Sequence, residues 1–93
     1  MKTDNKQNID LNAIESVIET ALFGLVPKNC ITKKVKNEKT KEFSITFEKN
    51  NLEYSIGNGY ETSKIYCIAY CEMTECSIQD DLAEDLQYMC TFN

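Results

Sequence analysis

Five cysteines, a run of carboxylates and five tyrosines carry most of the chemistry this sequence could perform. Cys67, Cys71 and Cys76 follow one another at C-x3-C-x4-C spacing, while Cys30 and Cys90 stand apart. A zinc site needs three or four converging ligands, and this spacing lacks the tight C-x2-C knuckle. On a strand, Cys67 and Cys71 would face the same way about 13 Å apart at ~3.3 Å per residue, too far to share an ion. On a helix they would lie one turn apart and could share one. Core packing is the expected role, because free Cys behaves as a small hydrophobe. The odd count also argues against a disulfide framework.

The carboxylates Glu72, Glu75, Asp80, Asp81, Glu84 and Asp85 fall within fourteen residues, with no lysine among them. Asp80 and Asp81 suit the positive end of a helix. Glu84 and Asp85 repeat the charge four residues on, which costs a few tenths of a kcal/mol per like-charged pair. A solvated helix face is one explanation. The other is a surface shaped for a basic groove of the kind that holds nucleic acid, since duplex DNA presents one negative charge per ~1.7 Å of axis. Such a face would also steer association. Of the tyrosines, Tyr60 and Tyr88 are the best interface candidates, because Tyr contributes large contact area at little entropic cost.

The absences narrow the choice. The chain has no His, no Arg and no Trp. Histidine is the commonest general acid–base and a frequent metal ligand, and arginine is the usual clamp for phosphate. No catalytic residue and no bound cofactor or metal is therefore expected. Lys28, Lys33, Lys34, Lys36, Lys39 and Lys41 form a basic stretch broken only by Glu38. Guarding a sheet edge is its expected role. The net charge of −5 opposes direct nucleic-acid binding.

These side chains must be placed by one small α+β domain spanning 1–93, with 1–8 a frayed tail. Leu11, Ile14, Val17, Ile18, Ala21, Leu22 and Leu25 recur at three- and four-residue spacing, predicting a helix capped by Asp10 and ended by Gly24 and Pro27. Asn12, Glu15, Ser16 and Glu19 take its other face. A meander follows. Residues 30–36 alternate, with Ile31, Lys33 and Val35 on one side. Phe43, Ile45 and Phe47 face one way, as do Leu52, Tyr54 and Ile56. An Asn50-Asn51 turn would set Phe47 opposite Tyr54 and Ile45 opposite Ile56. Gly57-Asn58-Gly59 should close the third strand. The β-branched and aromatic content of 63–71 predicts a strand, with a helix as the alternative. Ser77 would cap the last helix, with Ile78, Leu82, Leu86 and Met89 its buried stripe. The order is α-β-β-β-β-α, or α-β-β-β-α-α. Either is a two-layer fold, with a three- to four-stranded antiparallel sheet packed against N- and C-terminal helices.

No apolar run approaches the ~20 residues that span a bilayer, and the polar N-terminus lacks a signal-peptide core. A cytoplasmic monomer or homodimer is expected. The abundance of Asn, Lys and Ile is the bias of an AT-rich genome, pointing to a low-GC bacterium or one of its phages. In size and charge the chain resembles phage-encoded anti-CRISPR and other anti-defence inhibitors, a resemblance that rests on no motif. It implies an inhibitor of a basic nucleic-acid-handling enzyme or effector complex. An immunity protein or antitoxin would use the same acidic surface. From a different class, a zinc- or nucleotide-binding regulatory domain would use Cys67, Cys71, Cys76 and Cys90.

Overall fold

The computed structural model describes residues 9–60 and 62–90, and the expected tail lies outside them. Helix α1 (Leu11–Phe23) forms where the periodicity requires it. The Asp10 carboxylate accepts from the Asn12 and Ala13 amides at 3.0 and 3.3 Å, satisfying donors the helix cannot pair internally. Leu11, Ile14, Ile18, Ala21 and Leu22 are buried and Val17 is half-buried. Leu25 is exposed, and Val26 takes its place in the core. Gly24 ends the helix in right-handed backbone, so no left-handed cap is used. A single 3₁₀ turn, Lys28–Cys30, leads into the sheet.

Five antiparallel strands follow in sequential order: β1 (Ile31–Asn37), β2 (Glu42–Lys49), β3 (Leu52–Asn58), β4 (Ile65–Cys71) and β5 (Cys76–Ile78). Helix α2 (Asp81–Met89) closes the chain, giving an α+β fold with one strand more than the larger number expected. The register of β2 on β3 is the one the Asn-Asn turn predicts, with Phe47 opposite Tyr54 and Ile45 opposite Ile56. Asn50 and Asn51 both take positive φ, 55° and 66°, as a tight hairpin turn demands. The Phe47 and Tyr54 rings stack at 4.8 Å between centroids. Phe43, Ile45, Phe47, Tyr54, Ile56, Ile65, Cys67 and Ala69 form the core face of the sheet, under α1 and α2.

Three local expectations are corrected. In β1 the register shifts between Ile31 and Lys33, so Ile31, Lys34 and Lys36 share the core side, while Lys33 and Val35 face away. Strand β3 runs on through Gly57 and Asn58. Asn58 is buried and holds the sheet end together: its Oδ1 accepts from the Phe43 amide at 2.8 Å, and its Nδ2 donates to the Lys41 and Thr62 carbonyls at 2.7 and 2.8 Å. Third, Ser77 is not a helix cap. Cys76–Ile78 turns back along β4 as β5, and Asp80 caps α2, accepting from the Leu82 and Ala83 amides at 3.1 and 3.3 Å. Asp80 wins because the Tyr54 hydroxyl also donates to it at 2.7 Å, which ties the helix start to the core. The buried side of α2 is accordingly Ala83 and Leu86, with Cys90 just beyond its end, while Ile78 and Met89 are exposed.

Candidate functional site

The sheet order separates the charges. The lysines of β1 lie at one edge of the sheet and β5, reached through the β4–β5 turn, at the other, about 19 Å away at ~4.8 Å per strand, while α2 packs on β4. The basic edge is largely neutralised from within. Lys34 reaches Glu15 and Glu19 of α1 at 2.7 and 2.9 Å, and Lys36 reaches Glu15 at 3.2 Å and Asn12 at 2.8 Å. Hydrogen bonds from these lysines hold the Glu15 carboxyl below its ordinary value, and Glu15 and Glu19 raise Lys34. The polar face of α1 therefore contacts β1, and these lysines stand on an edge strand.

No ion pair among the described residues neutralises the acidic side. The six candidate carboxylates do not form one patch. Glu72 and Glu75 lie on the β4–β5 turn, at the opposite end of β5 from Asp80. Asp80 is half-buried and occupied as cap and tyrosine acceptor, so it is a structural residue. Asp81, Glu84 and Asp85 are exposed on α2. Their spacing, continued by Tyr88, places all four as i, i+3 and i, i+4 neighbours on one helical stripe. Tyr88 is 81% exposed. Tyr60, 65% exposed, stands on the β3–β4 loop at the end of the sheet toward which α2 runs. That direction is fixed by Gln87 of α2, whose Oε1 accepts from the Cys67 amide of β4 at 2.9 Å.

Two further surfaces escaped sequence reasoning. Glu48 and Glu53 are cross-strand partners on the sheet face away from the helices, a like-charge pairing that costs stability. With Glu72, Leu52 and Met73 they line a cleft of about 470 Å³ at the sheet end. The Asn-Asn turn already implied this pair, since it fixed the hairpin register. On the same open face Tyr66 and Ile68 of β4 are exposed, and the Lys64 ammonium sits 5.4 Å from the Tyr66 ring centre.

The cysteines divide by environment. Cys67 and Cys90 are buried, as core packing requires. Burial, with smaller contributions from Cys90 and Asp80, pushes the Cys67 thiol up to about 12, and burial also raises Cys90. Cys30 and Cys71 are half-buried and Cys76 is exposed, so packing does not account for all five. Among the described residues no three Cys, Asp or Glu side chains converge as metal ligands would. No described helix is long and apolar enough to cross a membrane. No protein-family model, curated protein or solved structure matches the chain.

Proposed function

We propose that the protein acts in the cytoplasm by binding a larger protein, presenting the α2 stripe to a basic groove and so inhibiting a nucleic-acid-handling enzyme or effector complex. The observation that carries this reading is the grouping of Asp81, Glu84, Asp85 and Tyr88 on one exposed side of a helix. Helix-in-groove recognition reads side chains at this spacing. The carboxylates raise the association rate by steering and Tyr88 supplies contact area, a division of labour common at interfaces. The lysines of β1 do not oppose the approach, because two are paired with α1 and the strand forms the far edge of the sheet.

The test is affinity capture from lysate of the source cell at graded salt, comparing the native chain with the D81N/E84Q/D85N variant. A basic nucleic-acid-binding protein should be retained by the native chain, released by added duplex oligonucleotide and lost with the variant. Capture that ignores both the variant and the oligonucleotide refutes the acidic-stripe mechanism.

A further inference from the structure

We propose that Cys71 and Cys76 form a surface dithiol site that undergoes thiol–disulfide exchange with low-molecular-weight disulfides, closing reversibly into a cross-strand disulfide at the base of the β4–β5 turn. This inference is independent of the α2 stripe. Cys71 and Cys76 are register partners, the last residue of β4 opposite the first of β5. Directly opposed residues of an antiparallel pair project to one side with Cα atoms about 4.5–5.5 Å apart, within the ~4.4–6.8 Å a disulfide spans. One side chain touches both residues: the Thr74 hydroxyl lies 3.2 Å from the Cys76 sulfur and 3.5 Å from the Cys71 carbonyl. The Thr74 hydroxyl and the Thr74 and Met73 backbone also lower the Cys71 thiol, which favours the attacking thiolate. Cys67 and Cys90 are buried with raised thiols and are poor competitors.

The exchange balances without a further reactant. The Cys71 thiolate attacks one sulfur of RSSR, breaking its S–S bond and releasing RS⁻, which takes up the proton Cys71 gave to solvent. The Cys76 thiolate then attacks the Cys71 sulfur, forming the internal bond and expelling the second thiol. The sum is protein dithiol plus RSSR giving protein disulfide plus two RSH. A four-residue loop gains little from closure, and exposed bonds are the labile ones, so the disulfide reopens in excess thiol.

The whole chain is equilibrated across a series of reduced-to-oxidised glutathione ratios, quenched with an alkylating reagent in denaturant, and cleaved after glutamate. Cleavage at Glu72 and Glu75 severs the backbone between the two cysteines, so only a disulfide keeps those fragments joined. The expected product is the joined pair, two hydrogens lighter, with fragment ions placing the bond on Cys71 rather than Cys67. In C76S the joined species is lost and Cys71 carries one glutathione instead. Separate glutathione adducts on Cys71 and Cys76 in the native chain would overturn the proposal. So would a bond to any other cysteine, or two thiols still reduced when the glutathione pool is mostly oxidised.

Discussion

Asn58 shows how much one side chain can carry. It pairs with three backbone groups from three places: the start of β2, the turn before it and the loop after β3. Asn58→Leu strands those groups, and at ~1–3 kcal/mol per buried unsatisfied group the expected loss is about 3 kcal/mol, read as a lower urea midpoint at unchanged slope. Asn58→Asp tests the orientation. It keeps an acceptor for the Phe43 amide but faces two carbonyls with another acceptor, so it should be nearly as damaging. A variant as stable as the native chain would refute the assignment. Sequence reading missed this role because Gly-Asn-Gly has the composition of a turn, and a buried amide differs from a turn amide only in what surrounds it. The Asn50-Asn51 turn was legible because left-handed backbone is a local preference of Asn. Tyr54 was placed on the right face, but its bond to Asp80 joins residues 26 apart and leaves no local signal.

Local period and distant pairing differ in the same way among the elements. Helix α1 and strands β2, β3 and β4 follow from patterns within each segment. Strand β5 does not, since three exposed residues are extended only because the outer edge of β4 accepts them. Missing β5 also hid the Cys71–Cys76 register, and the same error moved the start of α2 from Asp80 to Ser77. At Gly57 the close approach of β2 to β3 is decisive: an added Cβ would lie 2.2 Å from the Phe43 carbonyl oxygen. Backbone cannot yield as a side-chain tip can, so Gly57→Ala should cost about 3 kcal/mol, the upper end of overpacking penalties, measured by thermal or urea unfolding. The α1–β1 contact makes a pH prediction. The Glu15 carboxyl is lowered in the folded state from an ordinary value of 4.5, so its contribution is present above that pH and is lost as pH falls through the lowered value. Native protein should therefore lose more stability below pH 4.5 than Glu15→Gln, whose urea midpoint should fall less steeply over that range.

For the molecule as a whole, charge is arranged at a cost to stability. Asp81, Glu84 and Asp85 repel one another on a single helix face where one lysine would relieve them. Asp85→Lys converts the Asp81–Asp85 repulsion into a favourable i, i+4 pair, a gain of about 0.5–1 kcal/mol. The variant should melt higher and, under the proposed function, lose its partner. Higher stability with undiminished capture would separate the stripe from binding. The acidity of this region was legible as a count of carboxylates. Its division into a turn, a structural cap and a helical stripe was not, because that depends on where one helix begins.

The sequential order of the sheet also shapes how the chain is made. Every strand pairs with the one before it across a short loop, so each pairing closes little chain and costs little loop entropy. The meander can grow one hairpin at a time as the chain leaves the ribosome. Helix α1 emerges before the sheet but rests on β2 and β3, so its apolar face stays uncovered until those strands have been translated. That interval is the time at which a chaperone, or another copy of the nascent chain, would find this protein most open to capture.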